Sequence, residues 1–145
     1  AVFLSFDGEL DTQPLIEQLW RAGKRVYLPV LHPFSAGNLL FLNYHPQSEL
    51  VMNRLKIHEP KLDVRDVLPL SRLDVLITPL VAFDEYGQRL GMGGGFYDRT
   101  LQNWQHYKTQ PVGYAHDCQL VEKLPVEEWD IPLPAVVTPS KVWEW

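Results

Sequence analysis

Short apolar segments of strand length alternate with a helical pattern, and this alternation constrains the fold more than any other feature. Residues 1–6 and 25–31 have the composition of strands, and residues 73–79 form the clearest interior strand. Between the first two, apolar side chains recur at helical spacing over residues 15–20, and Gly23 is placed to end that helix. This order predicts an α/β sandwich built on a mainly parallel sheet.

The rest of the chain adds weaker elements of the same kinds. Residues 39–44 are predicted to form a third strand, at an edge of the sheet, and residues 57–73 a long connection interrupted by prolines. A helix is predicted from residue 96 to residue 104, with short strands at residues 111–115 and 135–138. No repeat or domain boundary is visible, so residues 1–145 are interpreted as one domain.

Composition excludes several classes of protein. The net charge of -5 and the absence of a basic run argue against a nucleic-acid partner. No apolar run approaches the roughly 20 residues that a membrane-spanning helix needs. The single cysteine, Cys118, and the lack of a secretory pattern at the start favour a cytoplasmic location.

A glycine-rich run is the strongest candidate for a binding site. Gly91-Met92-Gly93-Gly94-Gly95 lies between Leu90 and the helix predicted from Phe96. Its four glycines can present backbone N–H groups without Cβ atoms in the way, which suits a phosphate. The spacing fits neither the dinucleotide fingerprint nor the Walker loop. A tight turn without a ligand remains the alternative interpretation.

Charged side chains flank this run on both sides. Arg89 precedes it and offers a cation for phosphate oxygens, whereas Asp98 follows it and offers a carboxylate for a magnesium ion. Either residue alone would pass for a surface charge. Their combination with the glycines favours phosphoryl chemistry.

Residues 82–99 resemble the signature of the 5-formyltetrahydrofolate cyclo-ligase family, also called methenyltetrahydrofolate synthetases. Residues 4–5 with 8–12, residues 57–60 and residues 124–130 agree with the family in the same order, so the resemblance spans essentially the whole chain. It implies a three-layer α/β sandwich with a mainly parallel central sheet flanked by helices. It also implies ATP- and Mg²⁺-dependent closure of 5-formyltetrahydrofolate to 5,10-methenyltetrahydrofolate, with release of ADP and phosphate through a phosphorylated formyl intermediate.

The resemblance assigns roles to individual positions. Arg89 and Tyr97 match catalytic positions, and Asp98 and Asp130 match the carboxylates that bind Mg²⁺. The ATP-binding segment would comprise Arg89, Leu90, Gly91, Met92, Gly93, Gly94, Gly95, Phe96 and Tyr97. The folate contacts would be Leu4, Glu9, Met92, Gly93, Gly94, Gly95 and Phe96.

The sequence leaves the roles of several residues undecided. Asp84 is a weaker metal candidate that also suits a turn. Glu59 lies either against the same pocket or in solvent, as loop glutamates commonly do. The flat pteridine ring could stack on an apolar side chain, but the sequence does not choose among Phe34, Tyr44, Met52 and Trp104.

Other functions are also weighed. The family's N-terminal helical segment, with Lys and Arg near the ATP phosphates, has no counterpart in the sequence, so a non-catalytic nucleotide- or folate-binding module is the alternative. A sugar-phosphate isomerase or acyl-transferase relative is opposed by the intact run 89–99. Cys118 with His116 is a weak thiol-nucleophile candidate, and the histidines do not have zinc-site spacing. The expected partners are a reduced folate and ATP, and the expected state is a monomer.

Overall fold

The computed structural model describes residues 1–5, 9–35, 37–91, 95–127 and 130–145. In chain order the helices and strands of these residues are α1 (Gln13–Arg21), β1 (Val26–Leu31), β2 (Leu39–Tyr44), β3 (Leu50–Met52), β4 (His58–Pro60), β5 (Val67–Leu68), β6 (Val75–Thr78), β7 (Ala82–Asp84), β8 (Arg89–Leu90), α2 (Phe96–Leu101), β9 (Gln110–Tyr114), β10 (Leu120–Val121), β11 (Ala135–Val137) and β12 (Val142–Glu144). Single 3-10 turns lie at Val64–Asp66, Leu70–Arg72, Trp104–His106 and Asp117–Gln119.

A four-stranded sheet in the order β12-β11-β9-β6 lies against the larger hydrophobic core. Strand β9 pairs in parallel with both β6 and β11, and β12 pairs antiparallel with β11. Leu76 of β6 and Val136 of β11 are fully buried with Phe83 of β7 and Leu101 of α2. The strand predicted over residues 73–79 is confirmed as β6, but its predicted interior position is wrong, because β6 is the last strand in this sheet order and Val75 is exposed.

A second sheet, in the order β1-β2-β5, is antiparallel throughout. Val26 pairs with Tyr44 and Leu31 with Leu39 along the whole length of β1 and β2. The prediction that residues 39–44 lie at an edge is wrong, because β2 is the middle strand of this sheet. Its partner β5 lies within residues 57–73, which the sequence presented only as a connection.

The sheets are mixed, and the predicted three-layer sandwich with a mainly parallel central sheet is not confirmed. Of the two smaller groups, β10-β7-β8 combines a parallel pair (β10 with β7) and an antiparallel pair (β7 with β8), and the hairpin β3–β4 is antiparallel. The physical reason is visible in the linker between β1 and β2: a parallel crossover needs a dozen or more residues, and only residues 32–38 separate these strands. The fold is α/β with several mixed sheets and few helices.

The two helices pack as their patterns predict, although α2 is short. Ile16 of α1 is fully buried and packs with Val2, Val26 and Leu28 in a second core. Helix α1 ends just before Gly23, whose N–H donates to the carbonyl of Trp20. The helix predicted over residues 96–104 is regular only to Leu101. Within the part of the chain that the structure describes, no helix has the length and apolar character needed to span a membrane.

The first residues join the two larger sheets without being a regular strand. The Val2 N–H donates to Tyr27 of β1 at 2.9 Å, and the Ile77 N–H of β6 donates to Ala1 at 2.8 Å. Residues 1–5 carry no regular strand assignment, and Phe6 lies outside the described residues. This segment leads Phe3 and Leu4 from the core toward the carboxyl-terminal half of β1.

Gly113 in β9 is closely surrounded, and its replacement provides a test of the core. A Cβ atom there would lie 2.9 Å from side-chain carbons of both Leu133 and Val136, and 3.0 Å from Leu80. Overpacking of this kind usually costs about 1–3 kcal/mol. We expect Gly113→Ala to lower the free energy of unfolding by that amount in urea titrations. An unchanged unfolding midpoint would contradict the close packing at β9.

Candidate functional site

A cavity of about 540 Å³ opens where the first residues, β1, the β3–β4 hairpin and the loop between β8 and α2 come together. Its volume is in the range of small-molecule sites. Its described lining residues come from distant parts of the chain: Phe3, Leu4, Glu9, Leu28, Pro29, Leu31, Leu39, Asn53, Leu55, Ile57, His58, Glu59, Pro79, Arg89, Leu90, Gly91, Gly95, Phe96, Tyr97, Asp98, Pro125 and Asp130.

Every residue to which the family resemblance assigned a role, and which the structure describes, lies on this cavity. These residues are Leu4, Glu9, Arg89, Leu90, Gly91, Gly95, Phe96, Tyr97, Asp98 and Asp130. Met92, Gly93 and Gly94, the other predicted positions, lie outside the described residues. The fold therefore places side chains from opposite ends of the chain around one space.

Arg89 and Asp98 form a buried ion pair beside the cavity. Arg89 lies on β8 and Asp98 in the first turn of α2, and Arg89 Nη2 is 3.1 Å from Asp98 Oδ1. Their side chains are 3% and 17% exposed, so the surrounding solvent screens the pair poorly. Arg89 Nη1 lies 3.4 Å from the Pro79 carbonyl, and its buried Nε has no hydrogen-bond partner in the described structure. Arg89 thus lines the cavity while its Nε–H is enclosed by protein.

Asp98 also draws the segment around Asp130 into the site. The Ile131 N–H donates to Asp98 Oδ1 at 3.2 Å, and the Glu127 N–H donates to Asp130 Oδ2 at 2.8 Å. Oδ1 of Asp98 is thus occupied by two donors from the protein, whereas no bond of the described residues engages Oδ2. The two carboxylates predicted to bind metal line the same cavity.

The donor chemistry of this pair fits a magnesium ion. Mg²⁺ prefers hard oxygen ligands and commonly takes one or two carboxylates together with phosphate and water. Among the described residues, no cluster of three or more His, Cys, Asp or Glu side chains has the geometry of a metal site. A two-carboxylate site completed by a phosphate ligand is consistent with both observations.

Tyr97 follows Phe96 in α2 and is positioned beside Arg89. The Arg89 guanidinium carbon is 5.9 Å from the centre of the Tyr97 ring. Burial raises the pKa of the Tyr97 hydroxyl well above its ordinary value; the nearby Arg89 charge opposes this shift, and Glu9 adds to it. The hydroxyl therefore stays protonated at neutral pH, which makes Tyr97 a hydrogen-bond donor rather than a base.

Two positions of the run favour glycine, each for a different structural reason. A Cβ atom at Gly91 would lie 2.8 Å from Arg89 Nη1, so Gly91 allows the arginine to fold back over the backbone. Gly95 immediately precedes α2 with a φ of 69°, in the left-handed region that side chains with a Cβ disfavour. A side chain there would also approach Arg99 Nη1 to 2.9 Å.

Asp84 is a turn residue in this fold. Its carboxylate is 1% exposed, and Oδ1 accepts the N–H groups of Tyr86 and Gln88 at 2.9 and 3.0 Å. Oδ2 accepts the Leu124 N–H at 3.0 Å, which ties the β7–β8 turn to a distant loop. Asp84 is absent from the described lining of the cavity.

The four side chains considered for stacking lie elsewhere. None of Phe34, Tyr44, Met52 and Trp104 is among the described residues of the lining. Tyr44 packs on Trp20 with ring centres 5.2 Å apart, and Trp104 packs against the larger core. The aromatic side chains that line the cavity near its aliphatic residues include Phe3 and Phe96.

The β3–β4 hairpin is the part of the site that sequence reasoning missed. Asn53, Leu55, Ile57 and His58 line the cavity, and only Glu59 was considered from the sequence. The Asn53 side chain accepts the N–H groups of Leu55 and Ile57, which shapes the turn at the tip. No motif marked Asn53 and Leu55, and the family-like segment 57–60 gave no site role to Ile57 or His58, because these residues reach the cavity only through the pairing of β3 with β4.

The thiol candidate lies away from this site. Cys118 is exposed in the 3-10 turn after β9, and neither it nor His116 is among the described lining residues. His116 belongs to the cap of that turn, where its backbone N–H donates to the Gln119 side chain at 2.7 Å. The structure therefore gives these two residues a local role.

Comparison with known proteins places the chain in a family. Residues 1–139 match the model of the 5-formyltetrahydrofolate cyclo-ligase family. A Haemophilus influenzae 5-formyltetrahydrofolate cyclo-ligase is 61% identical over 133 residues, which cover 92% of this chain and 71% of that protein. The Mycolicibacterium smegmatis protein of the same name is 34% identical, with 97% of this chain and 73% of the relative covered.

A solved structure agrees with these matches. The NMR structure of Aquifex aeolicus 5,10-methenyltetrahydrofolate synthetase superimposes with a TM-score of 0.79 at 31% identity and covers 99% of this chain and 69% of its own. The resemblance seen in residues 82–99 is thus confirmed over nearly the whole chain by sequence and by fold. This chain belongs to the 5-formyltetrahydrofolate cyclo-ligase family.

Proposed function

We propose that this protein closes 5-formyltetrahydrofolate to 5,10-methenyltetrahydrofolate, using ATP and Mg²⁺ and releasing ADP and phosphate. Family membership supports the ligase activity. The observation that carries the proposal is the cavity, since one space of about 540 Å³ contains Arg89, Tyr97, Asp98 and Asp130. Phosphoryl transfer asks a protein mainly for positioning and charge neutralisation, and these side chains offer both.

The lining favours a ligand with a flat apolar body and a charged end. Aliphatic and aromatic side chains dominate the walls contributed by β1, the hairpin and the first residues. Arg89 is the only lysine or arginine among the described lining residues. We place the reduced folate against the apolar walls with Leu4, Glu9 and Phe96, and the ATP phosphates against Arg89 and the run Leu90–Tyr97.

The proposed reaction has two steps that balance. The formyl oxygen attacks the γ-phosphorus of ATP, and the bond to the bridging oxygen breaks as ADP leaves. N10 then attacks the activated formyl carbon, the carbon–oxygen bond breaks, and phosphate leaves while the N10 proton passes to solvent. Phosphorylation therefore converts a poor leaving oxygen into a good one.

The chain's own residues supply position and charge. Arg89 holds Asp98 and offers its positive charge to a phosphate oxygen in the cavity. Tyr97, which stays protonated, donates a hydrogen bond to a reacting oxygen. Asp98 and Asp130 would hold Mg²⁺, and the ion supplies neutralisation of phosphate charge when bound. The protein is further proposed to act as a cytoplasmic monomer.

The test is the appearance of the methenyl-folate absorbance band after 5-formyltetrahydrofolate, ATP and Mg²⁺ are mixed with the protein. We expect a rise that requires ATP and disappears when EDTA removes the metal. A matched reaction with ADP in place of ATP controls for nucleotide binding without phosphoryl transfer. No rise from a protein that still binds ATP and folate would contradict the ligase and support the non-catalytic binding module instead.

A further inference from the structure

Glu59 is a cavity-lining carboxylate for which the proposed reaction has no role so far. It lies in β4, and its Oε2 accepts the Leu31 N–H at 3.1 Å and the Asn53 side-chain amide at 2.9 Å. Two donors on one oxygen fix the orientation of the carboxylate and fasten the hairpin to the end of β1. No hydrogen bond of the described residues engages the other oxygen, Oε1.

The charges of the cavity lining indicate which part of a folate would lie against Glu59. The described lining carries the carboxylates of Glu9, Glu59, Asp98 and Asp130 against the single guanidinium of Arg89. The glutamate tail of a folate is anionic, so a carboxylate with no cation hydrogen-bonded to it would repel the tail. The 2-amino-4-oxo ring at the other end presents adjacent N–H donors, at N3 and at the 2-amino group. A carboxylate oxygen is their natural acceptor.

We propose that Glu59 is a specificity-determining residue for the pteridine end of the substrate, with Oε1 accepting from the N3–H and 2-amino donors. The inference rests on the proposed function, because it requires a reduced folate in the cavity. The hydrogen bonds of Glu59 to Leu31 and Asn53 keep its carboxylate fixed before the ligand arrives, which reduces the entropy cost of binding. Ligands lacking these donors would leave Oε1 desolvated and without a donor, and would be rejected for that reason.

Glu59→Gln separates the proposed contact from the anchoring of the hairpin. The glutamine carbonyl still accepts from Leu31 and Asn53, whereas the amide places a donor where the ring donors would lie. We expect the dissociation constant for 5-formyltetrahydrofolate, measured by calorimetry without ATP, to rise roughly tenfold to a hundredfold. The affinity for ATP and the urea unfolding midpoint should change little.

The matched control is Glu49→Gln, the same chemical change beside the same hairpin. Glu49 precedes β3, its side chain is 70% exposed beside Lys61, and it is absent from the described lining. We expect this variant to bind folate as the parent protein does. If Glu59→Gln also binds folate normally, Glu59 only anchors the hairpin and the inference is wrong, although the proposed ring closure would stand.

A second measurement does not depend on how the variant folds. The parent protein should bind the 2-desamino analogue of 5-formyltetrahydrofolate roughly tenfold or more weakly than the natural compound. Glu59→Gln should show little of this preference. Equal binding of both compounds by the parent protein would overturn the inference alone, whereas no binding of either compound would overturn the proposed function with it.

Discussion

Asp98→Asn is expected to reduce the rate of methenyl-folate formation by at least about a hundredfold, because it removes one charge from the proposed site of phosphoryl transfer. An asparagine carbonyl can still accept from Arg89 and from the Ile131 N–H, so the local geometry is preserved. The amide, however, replaces the oxygen that is open to a metal. Measured with manganese as a probe, the affinity for divalent metal should fall together with the rate.

The same variant should also be less stable. Arg89 would keep its charge at 3% exposure without a carboxylate partner, and an uncompensated buried charge is costly. We expect the free energy of unfolding to fall by about 2–4 kcal/mol, the lower end reflecting the hydrogen bonds that asparagine retains. Urea titration measures this, and assays at low temperature keep the variant folded.

The control for Asp98 is Asp66→Asn, an exposed carboxylate outside the described lining of the cavity. It should leave rate, metal affinity and unfolding midpoint essentially unchanged. If Asp98→Asn lowers the rate only in proportion to its unfolded fraction and binds metal normally, Asp98 is a partner of Arg89 and not a metal ligand.

Asp84→Ala is expected to have the largest effect on stability, on the order of 4–6 kcal/mol, although Asp84 lies away from the cavity. Three backbone N–H groups, those of Tyr86, Gln88 and Leu124, would lose their acceptor, and a buried unpaired donor costs about 1–3 kcal/mol. A loss of this size approaches the whole stability of an ordinary domain. Circular dichroism should show a largely unfolded protein at 37 °C.

Asp84→Asn refines this prediction. The asparagine carbonyl can keep the bonds to Tyr86 and Gln88, but its amide would face the Leu124 N–H, so we expect a loss of about 1–3 kcal/mol. Asp63→Ala is the matched control for Asp84→Ala, because the Asp63 carboxylate accepts the Arg65 N–H in a similar turn on the surface. If Asp84→Asn abolished ring closure while remaining as stable as the parent protein, Asp84 would belong to the chemistry after all.

Local sequence patterns predicted much of the fold, because the spacing of apolar residues depends directly on which side chains are buried. The helical spacing over residues 15–20 and the apolar run 73–79 correspond to α1 and β6, since periodicity depends only on which side faces the core. Sheet direction was harder to predict. The apolar run of β2 does not say whether its neighbours run parallel or antiparallel, and its pairing with β5 joins segments more than 20 residues apart.

The sequence by itself determined the family and the candidate residues, because the run 82–99 is contiguous and its residue types are dictated by close backbone approach and charge. Only the tertiary structure decided how those residues are arranged. Arg89 proves to be buried against Asp98, and Asp130 reaches the site through the backbone of Ile131. Glu59 becomes a fixed acceptor only because β4 lies beside β1. Such contacts join residues distant along the chain, and no local pattern encodes the pairing that creates them.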